Sequence, residues 1–405
     1  MKKFLILFVT VAVCFGIGYG LTELFSKTMK PNKTESGYIA ASQIEVKDGV
    51  MTPETLLAMG RLSDPQLSPD GKKILYGVSY TSVEQNRSCR NLFVCNPDGS
   101  GRVQLTRYAQ SASNARWSPD GKTIYFLQGG QIWAASFGGR KLGAKYQISD
   151  VPAGISEFKL SPDGSRILYG VTYTSIEQNK GVRQLFVMDI DGGNRRQLTH
   201  SGKSCSNARW LDDGAILYLC GGQLVRMDAA SGKTAVISDV PGGMSEFKLS
   251  PDGRQLMYSA SVKNYTAPTD VYPDLDKATV RTIDGLMYRH WDHWVTERPQ
   301  TYVAPLSEGT TITVDNSMNI LGDDAGKYEL PLEPFGGLDQ VAWSPDGQMV
   351  AYSCKKVDTG REYAFSTDTE IYIFKIVTGE TVRIPMGGGY DTDPVWSPDG
   401  SHLAW

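Results

Sequence analysis

The chain has 405 residues, of which 41 are Lys or Arg and 44 are Asp or Glu, so its formal net charge is −3. This near-neutral balance, without any local cluster of basic residues, argues against a nucleic-acid partner. Hydrophobic residues make up 40% of the chain and charged residues 21%, which excludes disorder over most of its length. With 43 glycines and 20 prolines, the composition favours a folded, turn-rich protein built mainly of β-strands.

Residues 1–25 form a separate segment. Lys2 and Lys3 precede a mostly apolar run over residues 4–21, which predicts a signal peptide or an uncleaved membrane anchor. We therefore expect the protein to be exported, either into a bacterial periplasm or onto the periplasmic side of the inner membrane. A membrane contact is expected only through residues 4–21.

The next two segments lead into the main domain. Residues 26–50 are polar and unpatterned, and we expect them to act as a tether. A short helix is expected within residues 51–62, because Thr52 is a favourable N-cap and Pro53 suits the first helical position. No long helix is predicted after it.

A four-residue turn motif, Ser-Pro-Asp-Gly, recurs through residues 63–405. Copies begin at residues 68, 118, 161, 250, 344 and 397, and a degenerate copy occupies residues 211–214. In such a turn Pro fixes φ, Asp accepts backbone hydrogen bonds, and Gly adopts the positive φ that other residues resist. A repeat of about 40–50 residues made of short strands is typical of β-propeller blades. We therefore predict an all-β fold, a β-propeller of six blades plus the start of a seventh, with a long insertion over about 262–335.

A second, longer repeat includes two of these units at a time. Residues 68–117 align with residues 161–210 without gaps, and 31 of the 50 positions are identical. The blades are therefore duplicated in pairs of about 93 residues. Since the seventh blade begins near Asp393 and the sequence runs to Trp405, we expect this last blade to be truncated and the ring to be open.

Several segments resemble a known family. The Trp-Ser-Pro-Asp-Gly units resemble the propeller repeats of TolB-like proteins and of the prolyl oligopeptidase family of serine peptidases. The helix together with residues 60–71, and the aromatic run at residues 286–295, are similar to exported dipeptidyl or acylaminoacyl peptidases of that family. The resemblance extends from about residue 50 to residue 405. It implies a propeller that caps a C-terminal α/β-hydrolase domain with a Ser-Asp-His triad.

We expect that hydrolase domain to be absent from these 405 residues. The sequence contains no Gly-x-Ser-x-Gly nucleophile motif, and none of its four histidines can be assigned to a triad with a Ser and an Asp. The chain alone is therefore expected to be inactive, with no catalytic residue and no cofactor. In the intact protein, the resemblance implies that the propeller admits short peptides to the triad. Two alternatives remain, a stand-alone TolB-like propeller that binds another envelope protein, and a carbohydrate- or ligand-binding propeller.

Two groups of residues are candidates for substrate binding. Arg289, His290, Trp291 and Trp294 lie in the aromatic run and would face the missing domain or its substrate, although aromatic packing within the insertion is the alternative. Glu84 and Glu177 recur at one repeat position. In some dipeptidyl peptidases acidic propeller residues hold the free amine of the substrate, while the alternative here is a solvated or turn-capping role.

The histidines and cysteines suggest few special sites. His290 and His293, with Asp292 between them, have a spacing that suits two metal ligands, but nothing nearby completes a set, so no metal site is predicted. Cys205 and Cys220 are equidistant from the turn at 211–214, which suggests a cross-strand disulfide in an oxidising compartment, with a pair of buried thiols as the alternative.

Overall fold

The computed structural model describes residues 34–44, 46, 48–283, 286, 288–290, 293–333, 336–357, 360–385 and 387–405. The apolar segment expected to be a signal peptide or membrane anchor therefore lies outside the described residues, as do Trp291 and Asp292. Within the described ranges, no helix is long and apolar enough to cross a membrane.

Helices are few and short in the part of the chain that the structure describes. The first, α1 (Pro53–Ala58), lies within the residues where a helix is predicted, and its N-cap Thr52 accepts a hydrogen bond from the Thr55 N–H at 3.2 Å. The others are α2 (Pro268–Val271), α3 (Gly360–Phe365) and two 3-10 turns, Gly322–Asp324 and Leu338–Gln340.

Six four-stranded sheets contain most of the described strands. Sheet 1 comprises β1 (Arg61–Leu67), β2 (Ile74–Ser82), β3 (Arg87–Cys95) and β4 (Val103–Gln104). Sheet 2 comprises β5 (Ser113–Trp117), β6 (Thr123–Gln128), β7 (Gln131–Ser136) and β8 (Tyr146–Gln147). Sheet 3 comprises β9 (Glu157–Leu160), β10 (Arg166–Ser175), β11 (Lys180–Asp189) and β12 (Arg196–Gln197).

The later strands follow the same order with one interruption. Sheet 4 comprises β13 (Cys205–Trp210), β14 (Ile216–Cys220), β15 (Gln223–Met227) and β16 (Thr234–Val236). Sheet 5 comprises β17 (Met244–Leu249), β18 (Gln255–Lys263), β21 (Glu297–Pro305) and β22 (Met318–Asn319), with the hairpin β19 (Arg289–His290) and β20 (His293–Trp294) between β18 and β21. Sheet 6 comprises β23 (Val341–Trp343), β24 (Met349–Cys354), β25 (Glu370–Lys375) and β26 (Thr381–Arg383), and a final hairpin joins β27 (Val395–Trp396) to β28 (Leu403–Ala404).

The Ser-Pro-Asp-Gly motif forms the turn between the first two strands of a sheet. In sheet 2 the Ser118 hydroxyl donates to the Asp120 carboxylate at 2.6 Å and accepts from the Thr123 N–H at 2.9 Å. Gly121 closes the turn with a φ of 68°, which a side chain would strain. The same two hydrogen bonds recur in the copies that begin at residues 68, 161, 250, 344 and 397.

Burial on both faces explains the run of mostly apolar residues in the first half of the second strand of each sheet. In β6, Ile124 and Phe126 belong to a core shared with sheet 1, whereas Tyr125 and Leu127 belong to a core shared with sheet 3. Alternate side chains of a strand point to opposite faces, so a strand packed between two sheets needs apolar residues at successive positions. Sheets 5 and 6 share another such core.

The chain divides into two compact units. The first contains the residues up to Ser204 together with Trp210–Gly214, and the second contains Cys205–Arg209 and Ala215–Trp405. Four-stranded sheets make up most of both units, and in the first unit the first strands of successive sheets lie next to each other, as β1 and β5 do and β5 and β9 do. The predicted all-β class is therefore confirmed, and the sheets have the strand order of propeller blades.

Two segments differ from their predicted extents. The insertion predicted over about 262–335 is narrower, because β21 and β22 lie inside it and complete sheet 5. The sequence does not reveal these two strands, because the repeat diverges after Ser261 and no turn motif occurs between residues 253 and 344. Residues 34–39, which fall inside the expected tether at 26–50, pack against sheets 1 and 2, and Ile39 is buried.

Candidate functional site

The connection between β18 and β21, residues 264–296, exposes an unusual amount of apolar surface. It contains α2 and the hairpin in which Arg289 pairs with Trp294 and His290 pairs with His293. Large apolar side chains that remain at least two-fifths exposed along it are Val271, Tyr272, Leu275, Val280, Ile283, Leu286 and Tyr288. Exposed apolar groups at this density are typical of a binding surface.

Trp294 is the centre of a group of charged and aromatic side chains. The guanidinium carbon of Arg281 lies 4.6 Å from the centroid of the indole ring, and that of Arg289 lies 5.3 Å from it. The ring of Tyr288 lies 6.0 Å away at a tilt of 30°. These contacts hold the half-buried indole in one orientation, since cations are attracted to the face of an aromatic ring.

An acidic cavity of about 220 Å³ borders the same tryptophan. Its wall includes Trp294, Ser261 and three carboxylate side chains, those of Glu297, Glu329 and Glu333. Glu329 is only 2% exposed, whereas Glu297 and Glu333 are exposed. Three carboxylates beside an aromatic ring favour a ligand that carries a positive charge.

Glu329 influences its buried neighbours through its charge. Burial raises the pKa of Tyr363, and the nearby Glu329 carboxylate raises it further. Burial lowers the pKa of Lys355, an effect that Glu329 opposes. The Lys355 ammonium also donates to the carbonyl oxygens of Tyr363 at 2.7 Å and of Ser366 at 3.2 Å. The Glu329 carboxylate therefore lies close enough to Tyr363 and Lys355 to influence both groups, and the same residue lines the acidic cavity.

A larger groove adjoins the acidic cavity at Val295, which lines both. The groove has a volume of about 570 Å³, and its walls include Tyr265, Tyr272, Ile283 and Tyr288. Polar side chains, among them Asn264, Thr282 and Arg298, line it as well. Pockets that combine apolar and aromatic walls with polar groups are typical of ligand-binding sites. The two cavities together offer an acidic end and a side of mixed aromatic and polar character.

The predicted site residues lie in two different parts of the chain. Arg289 is exposed and contacts Trp294, and His290 pairs with His293 in the backbone of the hairpin, while Trp291 lies outside the described residues. Glu84 lies at the tip of the β2–β3 hairpin and lines a groove of about 480 Å³. Glu177 is exposed at the tip of the β10–β11 hairpin, so these two glutamates belong to separate sheets.

Sequence reasoning missed Glu297, Glu329 and Glu333. These residues are distant in sequence and recur in no repeat, so no spacing pattern connects them. A weak signal was available in residues 328–334, where two glutamates alternate with Leu and Pro in an otherwise apolar stretch. For metals, the described ranges contain no group of three or more His, Cys, Asp or Glu side chains that could hold an ion.

Cys205 and Cys220 are joined in a disulfide, with their Cα atoms 4.1 Å apart. The bond connects the start of β13 to the end of β14, across the degenerate turn at residues 211–214. The cysteines at 89, 95 and 354 are free thiols and are buried. Burial raises the pKa of the Cys89 thiol, which makes it a poor nucleophile.

The sheets and their turns define a class of protein, an all-β chain built from propeller-type repeats. No family model matches the chain. It is 38% identical over 257 residues to dipeptidyl-peptidase 5 of Porphyromonas gingivalis, an alignment that covers 62% of this chain and 37% of that protein. A protein of the same name from Porphyromonas endodontalis is 37% identical over 259 residues, again with 62% and 37% coverage.

The resemblance to peptidases is therefore confirmed at the level of sequence: about 260 residues of the chain are similar to dipeptidyl-peptidase 5, and the chain spans little more than a third of the length of these relatives. Among solved structures, an acylaminoacyl peptidase of Pyrococcus horikoshii matches 82% of this chain and 47% of its own, with a TM-score of 0.49 and 15% identity. The propeller domain of a trilobed protease from Pyrococcus furiosus matches 81% of this chain and 84% of its own, with a TM-score of 0.45 and 15% identity.

Proposed function

We propose that this chain is the β-propeller part of an exported serine peptidase, and that it admits short peptides to a Ser-Asp-His hydrolase domain outside the 405 residues. The relationship to dipeptidyl-peptidase 5 supports the peptidase assignment. Export, to a bacterial periplasm or to an inner-membrane anchor at residues 4–21, is part of the same proposal. It is supported by the apolar run and by a disulfide, which persists in an oxidising compartment.

The acidic cavity is the observation that carries the proposal. A peptide's α-amino group, with a pKa of roughly 7.7–8.0, is largely protonated at neutral pH. Glu297, Glu329 and Glu333 surround a space of about 220 Å³, which suits the terminal residue of a peptide. Trp294 would form the aromatic wall of the same space.

The predicted residues have roles in this proposal. Arg289, His290 and Trp291 would form the edge of the peptide path beside Trp294. Glu84 and Glu177 are secondary candidates for the amine, and the test below includes them. The adjoining groove of about 570 Å³ would contact the body of the peptide.

The test measures peptide binding by the chain itself with isothermal titration calorimetry. We expect a free tripeptide to bind at least tenfold more tightly than its N-acetylated form, because acetylation removes the positive charge. Glu329→Gln should weaken binding of the free peptide about tenfold. Glu308→Gln, on an exposed loop of the same unit, is the matched control and should have no effect. Equal binding of the two peptides would contradict the assignment of the cavity, and a loss confined to Glu84→Gln or Glu177→Gln would move the amine site to those residues.

One observation favours the alternative of a stand-alone TolB-like binding module in the bacterial envelope, namely the open groove of about 570 Å³, whose walls include exposed aromatic and aliphatic side chains. Sequencing of the DNA downstream of codon 405 distinguishes the peptidase from the binding module. An open reading frame that continues to Gly-x-Ser-x-Gly, with Asp and His after it, supports the peptidase. A stop codon directly after Trp405 would leave only the binding module.

A further inference from the structure

The residues just before the first sheet are held by a set of specific contacts. The Glu35 carboxylate accepts hydrogen bonds from the Ala109 N–H at 2.9 Å and from the Lys145 ammonium at 2.8 Å. The Glu35 N–H donates to the carbonyl oxygen of Arg107 at 3.0 Å. Both the backbone and the side chain of one residue are therefore recognised.

The contacts continue along the next four residues. Arg87 donates to the carbonyl oxygen of Gly37, and the Tyr38 hydroxyl and the Gln104 side-chain amide are hydrogen-bonded at 2.8 Å. Ile39 is 4% exposed. We call residues 34–39 the arm. It contacts Arg87 and Gln104 of sheet 1 and, through Lys145, the loop that leads to β8 of sheet 2.

Contacts with neighbouring side chains position the Lys145 ammonium group to bind a carboxylate. Its ammonium lies 3.9 Å from the ring centroid of Tyr108 and 5.1 Å from that of Trp133, and the Gln128 side chain accepts a hydrogen bond from it at 2.5 Å. Two aromatic rings and one amide fix the position of the charge without neutralising it. Glu35 supplies the ion pair.

The pKa of Glu35 agrees with this arrangement. Burial alone would raise it, but the hydrogen bonds from Lys145 and from the Ala109 N–H, together with the charge of Lys145, lower it overall. The ionised form of Glu35 is therefore the one that the surface prefers.

We propose that the surface formed by Lys145, Tyr108, Trp133 and the Ala109 N–H is a docking site for an acidic peptide segment, and that the arm of the same chain is its occupant. Every described residue from Ala40 to Glu54 is exposed, so the arm is joined to α1 by a connection that makes few contacts of its own. The docked arm is thus a ligand on a linker. A short linker gives the segment that it carries an effective concentration on the order of millimolar, enough to keep even a weak site occupied.

The test releases the arm from the docking site by mutation and then measures whether the arm binds there as a separate peptide. Glu35→Arg places a like charge beside Lys145 and should release the arm. A fluorescein-labelled peptide of residues 34–43 should then bind this variant measurably, and should bind the unaltered chain at least tenfold more weakly because its own arm competes. Fluorescence anisotropy gives both dissociation constants.

A second pair of variants identifies the recognising residue. In the Glu35→Arg background, Lys145→Met should abolish binding of the peptide. Lys141→Met, an exposed lysine of the same loop, is the matched control and should leave binding unchanged. Far-ultraviolet circular dichroism and a thermal melt establish that all four chains are folded.

Three results would overturn the proposal. They are equal peptide binding by the unaltered chain and the Glu35→Arg variant, undiminished binding after Lys145→Met, and no binding to the variant up to millimolar peptide. Light scattering tests the source of the arm. A dimer of the unaltered chain that dissociates in the Glu35→Arg variant would mean that the arm is exchanged between copies, and would overturn the assignment of the occupant to the same chain.

Discussion

The two copies of the 93-residue repeat link the first two strands of their second sheet, which is sheet 2 in one copy and sheet 4 in the other, by different interactions. Ala112, which directly precedes the first strand of sheet 2, corresponds to Cys205. Gln128 and Cys220 also correspond, since each directly precedes a Gly-Gly turn. In sheet 2, the Gln128 side chain donates to the carbonyl oxygen of Gln110 at 3.0 Å and accepts from Lys145. In sheet 4 a disulfide spans the corresponding positions.

This difference separates what the fold requires from what it tolerates. Both sheets keep an apolar second strand and a Gly-Gly turn, the features that packing and turn geometry demand. The link between the first two strands is free to vary, from a polar network that also receives the arm to a covalent bond. Repeated sheets can therefore acquire separate roles without any change in their cores.

Replacement of the disulfide by the residues of sheet 2 should have the largest effect. The cysteines are 15 residues apart, and the closure of such a loop stabilises the folded state by about 3 kcal/mol. We expect Cys205→Ala with Cys220→Gln to lower the free energy of unfolding of the second unit by about this amount in urea titrations. Dithiothreitol should lower the stability of the unaltered chain equally and leave the variant unaffected. A reduced chain that unfolds at the same urea concentration as the oxidised one would show that the bond contributes nothing.

The turns give a smaller difference between the same two sheets. Ser118 in sheet 2 makes two hydrogen bonds inside its turn, whereas Leu211 occupies the matching position in sheet 4. Ser118→Leu should therefore lower the free energy of unfolding by about 1–2 kcal/mol, since each hydrogen bond contributes about 1 kcal/mol. Ser118→Thr keeps the hydroxyl and should retain most of the stability. Equal losses from both variants would mean that the shape of the side chain matters, and not its hydrogen bonds.

The smallest expected difference concerns two turn aspartates, Asp70 in sheet 1 and Asp163 in sheet 3. Hydrogen bonds from Ser161 and from Ser165 lower the pKa of Asp163 to about 2. Asp70 has a hydrogen bond from Ser68 and a lowered pKa, but Lys72 stands where Asp163 has Ser165. Ser165→Lys should therefore raise the pKa of Asp163, as measured by NMR titration of its carboxyl carbon.

The sign of the pH dependence follows from the same values. A carboxyl whose pKa is lower in the folded state stabilises the fold above its unfolded pKa of about 3.9 and loses that contribution as the pH falls through its folded pKa. For Asp163 the window lies between about pH 4 and pH 2. A titration midpoint of Asp163 near 3.9 in the folded chain would contradict the role of Ser161 and Ser165.

The repeat and the turns could be predicted because their causes are local. Proline, aspartate and glycine each have a backbone or hydrogen-bonding preference that acts within four residues. The six Ser-Pro-Asp-Gly turns can therefore be predicted directly from the sequence. The apolar second strands follow from burial on both faces, and α1 follows from its cap and proline. These features were sufficient for the all-β class and for the resemblance to peptidases.

The candidate site could not be predicted in the same way. Glu297, Glu329 and Glu333 lie in segments that no repeat or motif connects, and they meet only because β21 returns to pair with β18 after the long connection. The glutamates that recur in the sequence, Glu84 and Glu177, lie on separate hairpin tips. Residues that recur in the repeat are mostly those that packing requires, whereas the candidate binding site lies where the repeat is interrupted.

The contacts of the arm show the same limit of local reasoning. Residues 34–39 have no pattern of their own, and Glu35 is recognised by Lys145, which is 110 residues away in the sequence. Short-range preferences are readable from the order of residues because they depend on neighbours in the chain. Long-range partners such as these depend on which surfaces the folded sheets bring together, and only the packed molecule contains that information.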